Sequence, residues 1–310
     1  MIKPSARGPP VQLDFIYLSR GEVVMPPKIA IEIPQPDGRQ KGHLVAMPAY
    51  LKGLGVAGVK WAAGFYTNPS VGLPHGLDLV ILSDPETGRP LAVMEGALIT
   101  AVRTGAVAAV GAKYLAPDGA SAATLVGAGV VGRAAAHALV RALPGVELFV
   151  YDVRREKAER VAREVGASAA GDLRAAVERS DIVVTATSAQ SPVVKDEWLK
   201  GNVACVEIGK NEFEDATVLR ADLVVVDYWE QVVSREWTSL SRLWRQGLLK
   251  RVERIADIVA RGRVPGGGLR FFSPIGMACE DIIVAQRLYR RAVERGLGTR
   301  LPLWRATDWI

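Results

Sequence analysis

The sequence predicts an α/β protein made of a doubly wound parallel sheet and a smaller α+β domain. The chain of 310 residues is long enough for two hydrophobic cores. Its first third contains short apolar segments separated by Pro and Gly turns, whereas apolar strands and helices alternate after Gly119. The last predicted helix, Met277–Arg295, has no strands of its own, so we expect it to pack back onto the first domain.

Six segments of the first domain have the length and composition of β-strands. They are Val11–Tyr17, Lys28–Ile33, His43–Met47, Ala57–Ala62, Leu77–Leu82 and Leu91–Glu95. The run Asp84–Gly88 predicts a turn between the last two strands. A helix from Gly96 to Leu115, rich in Ala and Val, follows them, and Pro117–Gly119 ends it. The predicted smaller domain therefore comprises residues 1–116 and 273–310.

Residues 117–272 form the predicted parallel-sheet domain. Its strands are Ala122–Val126, Val146–Tyr151, Ile182–Ala186, Val203–Ile208 and Leu223–Val226, and its helices are Val130–Leu143, Glu156–Val165 and Asp172–Arg179. Apolar strands with short loops are typical of a parallel sheet that is covered on both faces. We expect the segment Arg235–Gly262 to be helical and the segment Val264–Leu269 to be a loop.

A glycine-rich turn with the pattern Gly-x-Gly-x-x-Gly joins the first strand of this domain to its first helix. Gly127 permits the tight turn, Gly129 lets the backbone approach a pyrophosphate, and Gly132 lets the helix pack closely on the strand. The free amides at the start of the helix, at Val130 and Val131, favour anionic phosphates. This strand, turn and helix, followed by a second strand, are typical of a Rossmann dinucleotide site.

Asp152 ends that second strand, twenty residues after the last glycine of the turn. A carboxylate at this position accepts hydrogen bonds from both ribose hydroxyls, which favours NAD as the cofactor. Arg154 and Arg155 follow directly. They could bind the 2′-phosphate of NADP, or they could simply begin a solvated helix. NAD is therefore the predicted cofactor, and NADP is the alternative.

The composition favours neither a nucleic-acid-binding nor a membrane protein. The net charge of +6 is spread along the chain, and the densest basic stretch, Arg242–Arg263, is typical of a solvated helix face. We find no apolar run of membrane-spanning length and no signal region. Cys205 and Cys279 offer no disulfide framework, so we expect a cytoplasmic protein. The histidines have no metal-ligand spacing, so no metal site is predicted.

Two cations lie in apolar or glycine-rich surroundings, where a charge needs a partner. Lys60 lies on a predicted strand, and its ammonium group could bind an anion or reach water at the strand edge. Arg103 lies in a helix that is otherwise almost free of charge. Its guanidinium could hold an anionic ligand or a carboxylate of another element. His75, in the loop Leu73–Gly76, is a further candidate to reach the cleft.

Five runs of residues bear on the family of this chain. They are Gly58–Pro69, Leu82–Ala92, Thr100–Gly105, Asp181–Thr187 and Ser273–Ala278, the last of which is followed by Asp281. In this order they resemble motifs of the ornithine cyclodeaminase/mu-crystallin family. The match extends from about Gly21 to Gly298 and so covers nearly the whole chain.

The resemblance implies a homodimer with a discontinuous substrate domain. The family includes amino-acid-cyclising deaminases, alanine dehydrogenases, and reductases of cyclic imino acids and ketimines. The resemblance also implies that Lys60 and Arg103 hold the acid group of a small amino or imino acid, with Lys28 assisting and Lys60 a possible acid or base. The implied cofactor-binding residues are Thr104 at the phosphates, Thr185, Ala186 and Thr187 after a strand, and Ile275 and Gly276 at the nicotinamide end.

Two departures from the family bear on the reaction. Lys28 stands where the family often has an arginine, so the forked grip of a guanidinium is lost there. The family's cyclodeaminases and alanine dehydrogenases carry a catalytic aspartate after the fifth strand of the nucleotide domain. At the strand Val203–Ile208 this chain has Glu207, with Glu212 beyond it, and no aspartate that we can align.

This difference favours an NAD(P)-dependent oxidoreductase that acts on the C–N bond of a small imino or amino acid. Reductases of preformed imines need less from that carboxylate than cyclodeaminases do. The second hypothesis is an ornithine cyclodeaminase that forms proline and ammonia. The third is a nucleotide-binding protein without catalysis, as some crystallin relatives are.

Overall fold

The computed structural model describes residues 10–36, 40–234, 238–249, 252–262, 264 and 266–302. Two sheets organise these residues. One is antiparallel and lies in the first part of the chain, and the other is parallel and covered by helices. The predicted fold class is confirmed.

The antiparallel sheet is built from the first third of the chain. Its described elements are α1 (Pro10–Ser19), β1 (Val23–Val24), β2 (Ile29–Pro34), β3 (Gln40–Leu51), β4 (Val56–Phe65), β5 (Gly76–Ser83) and β6 (Pro90–Glu95), followed by α2 (Ala97–Leu115). The strand order is β1-β3-β4-β5-β6, and β2 also pairs with β3.

The parallel sheet follows α2, and a helix returns from its end to the first sheet. Its described elements are β7 (Ala122–Val126), α3 (Val130–Ala142), β8 (Glu147–Tyr151), α4 (Arg155–Val165), β9 (Ser168–Ala169), α5 (Leu173–Arg179), β10 (Ile182–Thr185), β11 (Val203–Glu207), α6 (Asp215–Arg220), β12 (Leu223–Val226), α7 (Trp229–Val233), α8 (Ser239–Arg245), β13 (Val252–Arg254), α9 (Ile255–Arg261), β14 (Leu269–Phe272) and α10 (Ala278–Glu294). The strand order is β13-β12-β14-β11-β10-β7-β8-β9.

The register of the antiparallel sheet gives it two different faces. Met47, Lys60 and Val80 lie opposite one another across β3, β4 and β5, and all three are buried. Helix α10 packs on these same three strands. Because successive side chains of a strand point to opposite faces, the neighbouring row carries Trp61 and Leu79 on the other side, where both are exposed. Lys60 is therefore held inside the protein, under α10.

Two expectations for individual segments are wrong, and one strand was not predicted. Val11–Tyr17 is part of α1 and not a strand, because its most deeply buried apolar side chains, Val11 and Phe15, are four residues apart, as on one helix face. The segment Arg235–Gly262 is not one helix, since β13 interrupts it; residues 235–237, 250 and 251 lie outside the described part. The strand that was not predicted is β14, which is central in the parallel sheet and begins at Leu269, the last residue of the predicted loop Val264–Leu269. Residue 265 of that loop lies outside the described part, and residues 264 and 266–268 form no helix or strand.

Helix α2 is long and apolar enough to cross a membrane by length and composition alone. Most of it is buried inside the protein, where it packs on α3, α10 and β5. These contacts are those of a core helix. Its position matters for the site, because α2 carries Arg103 and Thr104 from the antiparallel sheet to the edge of the parallel one.

Candidate active site

A cavity of about 850 Å³ lies at the carboxyl ends of the parallel strands, against α2. This is where an open α/β sheet binds its ligands. Twelve of the residues predicted from the sequence line it, namely Arg103, Thr104, Gly127, Gly129, Val130, Val131, Asp152, Arg154, Ala186, Thr187, Ile275 and Gly276. His75 lines it as well, with its Nδ1 3.0 Å from the Phe65 carbonyl oxygen.

The glycine turn has the shape that a dinucleotide requires. Gly127 has φ of 102°, and a Cβ at this position would lie 2.4 Å from the Ala186 carbonyl oxygen. A Cβ at Gly132 would lie 1.9 Å from the Gly127 carbonyl oxygen, so helix and turn are in direct contact there. A Cβ at Gly129 would meet no atom within 4 Å. The turn is therefore tight on the protein side and open on the cavity side, where a pyrophosphate fits.

Asp152 connects the end of β8 to this turn. Its Oδ2 accepts a hydrogen bond of 2.8 Å from the Ala128 amide, and its Oδ1 accepts one of 2.9 Å from the Arg154 amide. Carboxylate oxygens have two lone pairs each, so both can still accept from a ribose hydroxyl. The guanidinium of Arg154 is 62% exposed and lies beside the same carboxylate, 4.0 Å away.

We expect the substitution Asp152→Ser to relax the preference for NAD. It removes the acceptor for the ribose hydroxyls and the charge that repels a 2′-phosphate. Since a hydrogen bond to a charged group contributes about 1.5–3 kcal/mol, the ratio of kcat/KM for NADH to that for NADPH should fall at least about 10-fold. Initial rates with both cofactors check this, and Arg163→Ser, at an exposed position in the last turn of α4, is the control. An unchanged ratio would contradict the role given to Asp152.

Behind the nicotinamide end, two cations and two acids form a buried cluster. Lys60 Nζ lies 2.8 Å from Asp281 Oδ2, and Arg103 Nε lies 3.1 Å from Asp281 Oδ1. Arg103 also donates from a terminal nitrogen to Glu280 Oε2 at 2.8 Å. Asp281, on α10, thus bridges two cations, Lys60 of β4 and Arg103 of α2.

Burial and charge act on this cluster in opposite directions. Burial lowers the pKa of the Lys60 ammonium, and Arg103 lowers it further, although Asp281 opposes both. Burial also disfavours the charged form of Arg103, but Asp281 and Glu280 outweigh it, so the pKa of this guanidinium is raised. Lys60 is therefore the member of the pair that can release a proton, whereas Arg103 stays cationic.

The other predicted site residues lie outside the cavity lining. Lys28 donates from Nζ to the Ile275 carbonyl oxygen at 2.5 Å, next to the nicotinamide end. Lys60 is only 2% exposed, with Thr100 Oγ1 3.3 Å from Nζ. Thr185 donates from Oγ1 to Glu212 at 2.7 Å and does not line the cavity. Gly132 acts through packing of the turn.

Glu207 and Glu212 brace the loops that border the cavity. Glu212 accepts hydrogen bonds from the amides of Thr187 and Gly209, at 2.6 and 2.7 Å. Glu207 accepts from the Glu212 amide at 2.7 Å and from the Ser273 hydroxyl at 3.0 Å. Burial, and then the charge of Glu212, raise the pKa of Glu207 to about 7. Neither carboxylate lines the cavity.

A buried aspartate does occur beside the site, just after β12, the strand that follows Val203–Ile208 in the chain. Asp227 directly follows β12 and is fully buried. Its Oδ2 accepts a hydrogen bond of 2.6 Å from the Gly276 amide, and its charge contributes to the raised pKa of Arg103. The expectation that the chain lacks an aspartate here is therefore wrong. The signal was available, because Asp227 ends an apolar strand as Asp152 does.

Comparison with known proteins finds relatives that match nearly the whole chain. Alanine dehydrogenase of Archaeoglobus fulgidus is 32% identical over 95% of this chain and 92% of its own. The structure of Thermococcus litoralis Delta(1)-pyrroline-2-carboxylate reductase with NADH and L-proline is 32% identical over 94% of both chains, with a TM-score of 0.83. An archaeal alanine dehydrogenase dimer with bound NAD is 31% identical, covers 95% of this chain and 93% of its own, and has a TM-score of 0.84.

These relatives confirm the predicted cofactor, NAD, and the predicted class, an oxidoreductase that acts on the C–N bond of amino or imino acids. A sequence profile described as Ornithine cyclodeaminase/mu-crystallin family matches residues 2–296, nearly the whole chain. The chain belongs to the ornithine cyclodeaminase/mu-crystallin family.

Proposed function

We propose that this protein transfers hydride between NAD and the α-carbon of a small amino or imino acid. The observation that carries the proposal is the position of Arg103. Its guanidinium lines the cofactor cavity beside Gly276 and is tied, through Asp281, to Lys60. A carboxylate ligand that reaches Arg103 would therefore lie next to the nicotinamide end of the site.

Each group has a distinct task in this proposal. NAD, when bound by the glycine turn and Asp152, supplies the hydride chemistry. Arg103 holds the substrate's acid group and fixes its α-carbon, and such positioning lowers the barrier by several kcal/mol. Lys60, whose pKa burial lowers, exchanges the proton that the substrate nitrogen needs. Lys28 fixes the backbone at Ile275 through its hydrogen bond to the carbonyl oxygen. NADP is the alternative cofactor.

Ornithine cyclisation is the second candidate, and Asp227 favours it. The absence of an aspartate was the argument against this reaction, and a buried aspartate lies beside Gly276. The two reactions differ in their use of the cofactor. A reductase consumes NADH in proportion to product, whereas a cyclodeaminase releases ammonia from ornithine with no net change in NAD. A nucleotide-binding protein without catalysis would do neither.

The proposal is tested by a panel of substrates. The purified protein is mixed with NADH or NADPH and with pyrroline-2-carboxylate, piperideine-2-carboxylate, or pyruvate with ammonia or methylamine. We expect loss of reduced-cofactor absorbance with at least one of them, and loss of that rate in Lys60→Ala. Ammonia release from ornithine alone would support the second candidate. Tight cofactor binding without either activity would support the third.

We also propose that the protein is a homodimer that acts in the cytoplasm, with a discontinuous domain of residues 1–116 and 273–310 and a nucleotide domain of residues 117–272. The support for a dimer is the outer face of the antiparallel sheet. Ile29, Trp61 and Leu79 lie in one row across β2, β4 and β5, and each is at least 40% exposed. Ile31 and Leu77 extend this face and are exposed as well. Such a contiguous apolar face marks a protein contact.

We expect Leu79→Glu to convert a dimer into a monomer. The substitution introduces a charge at the middle of the apolar face, where a partner would have to desolvate it. Size-exclusion chromatography with light scattering measures the mass directly. Val293→Glu, on the exposed side of α10, is the matched control and should leave the mass unchanged. A wild-type protein that is monomeric at micromolar concentration would contradict the dimer.

A further inference from the structure

Two packed helices, α1 and α10, carry buried carboxyl oxygens that have no hydrogen-bond partner among the described residues. Both side-chain oxygens of Asp14 and the Oε1 of Glu280 have no hydrogen-bond partner among the described residues. Asp14 and Glu280 are each 0% exposed. Unpaired carboxyl oxygens at such depth are costly, and in most proteins each one has a donor. A proton bound by the group itself would satisfy these oxygens.

The elements packed against Asp14 supply acids and apolar side chains. Helix α1 contacts α2, α9 and α10. Helix α10 brings Cys279, Glu280 and Asp281, and the two acids both raise the pKa of Asp14 after burial itself. Helix α9 brings Ile255 and Ile258, both buried, while its Asp257 pairs with Arg254 at the surface.

The cations near this group are already engaged. Arg103 of α2 binds Glu280 and Asp281, and Lys60 of β4 binds Asp281. Tyr114, also on α2, accepts a hydrogen bond from Gln12. None of these ion pairs, all between described residues, places a cation on Asp14. A carboxylate in that position favours its neutral form, because burial and two like charges act in the same direction.

We propose that Asp14 and Glu280 form a buried proton-binding pair that positions Arg103: when the acid group of a substrate reaches Arg103, the pair takes up one proton from solvent and Glu280 releases its ion pair. This rests on the proposed function, because it needs a carboxylate ligand at Arg103. It assigns Asp14 a role as a positioning residue, since it acts on the substrate only through Glu280 and Arg103.

Charge counting gives the physical reason. Before binding, the cations Arg103 and Lys60 pair with Glu280 and Asp281, and the buried Asp227 already adds a further negative charge that acts on Arg103. A substrate carboxylate adds one more negative charge to these two cations in a site of low dielectric, where an unbalanced charge is costly. Glu280 is the acid that responds. Burial raises its pKa, Arg103 lowers it and Asp227 raises it again, so that the pKa of Glu280 is about 7. Protonation of Asp14 removes the like charge that α1 would otherwise bring towards Glu280.

The test uses two matched probes that cannot be reduced, pyrrole-2-carboxylate and its neutral amide, pyrrole-2-carboxamide. Each is titrated into the NADH-loaded protein by calorimetry at about pH 8, in two buffers of different ionisation enthalpy. We expect the carboxylate to bind with uptake of about one proton and the amide to bind with none. Glu280→Gln keeps the shape and an acceptor for Arg103, and it should reduce the uptake to about zero.

A second readout does not depend on any ligand. The infrared spectrum of wild type minus Asp14→Asn, at the same pH, should contain the carbonyl stretch of a protonated carboxylic acid. Binding of the carboxylate without proton uptake, or equal uptake in Glu280→Gln, would overturn the proposal and leave the proposed function standing. Failure of every carboxylate to bind would instead count against the proposed function. In that case the missing infrared band would overturn the proton pair, and its presence would support it.

Discussion

Replacing Arg103 with Met is expected to remove both the activity and a large part of the stability. The variant cannot hold the substrate's acid group, and the loss of one partner of a buried charge pair costs about 2–5 kcal/mol, so kcat/KM should fall at least about 30-fold. It also removes the cation that pairs with Glu280 and one of the two cations, Arg103 and Lys60, that pair with Asp281. Breaking a buried ion pair in this way should lower the free energy of unfolding by about 3–5 kcal/mol.

A double variant separates the two effects. In Arg103→Met with Glu280→Gln, Lys60 and Asp281 remain as one balanced pair, at 2.8 Å. Urea unfolding should then recover a substantial part of the lost stability, while kcat/KM stays at the level of the single variant. A single variant that is as stable as wild type would contradict the buried cluster. A double variant that regains activity would contradict the role of Arg103 in substrate binding.

Substituting Gly132 with Ala is expected to abolish cofactor binding. The added Cβ would lie 1.9 Å from the Gly127 carbonyl oxygen, which is backbone and cannot move aside alone. The turn must therefore open, and with it the amides that would face the pyrophosphate. We expect the Kd for NADH, measured by fluorescence titration, to rise more than about 100-fold, which corresponds to about 3 kcal/mol, and the Tm to fall.

Gly129→Ala is the matched control for this prediction. Its Cβ would meet no protein atom within 4 Å, and its backbone is extended with φ of −73°, which Ala adopts without strain. We expect the Tm of this variant to stay near that of wild type, while the affinity for NADH falls because the methyl group occupies the space beside the turn. Gly132→Ala that binds NADH as tightly as wild type would show that the turn does not form the cofactor site.

The nucleotide half of the site could be predicted because its signals are local. Strand β7, the glycine turn and the start of α3 lie within about twenty consecutive residues, and each supplies its own pattern. Strand β14 could not be predicted in the same way. It follows a glycine-rich run and contains Arg270, a charged residue that is nevertheless buried. The Arg270 guanidinium donates a hydrogen bond to the Leu115 carbonyl oxygen, 155 positions away in the chain.

The charged half of the site depended on tertiary contacts. The sequence indicated that Lys60 and Arg103 need partners, and it left open whether these are ligands or carboxylates. In the structure, Arg103 pairs with a carboxylate, that of Asp281, and it also lines the cavity. Asp281 lies 178 positions from Arg103, so no local pattern joins them. Asp14 was missed for a related reason: within a predicted strand it had no special environment, whereas α1 turns it inward, against α10.

Following the hydride itself tests the proposed reaction most directly. NADH in which both hydrogens at C4 of the nicotinamide are deuterium is incubated with the protein and the imine panel, and the amino-acid product is analysed by mass spectrometry and NMR. We expect one deuterium at the α-carbon of the product, in wild type and not in Arg103→Met. Product without deuterium, or complete retention of the label in NADH that is nevertheless tightly bound, would contradict hydride transfer to a substrate held by Arg103.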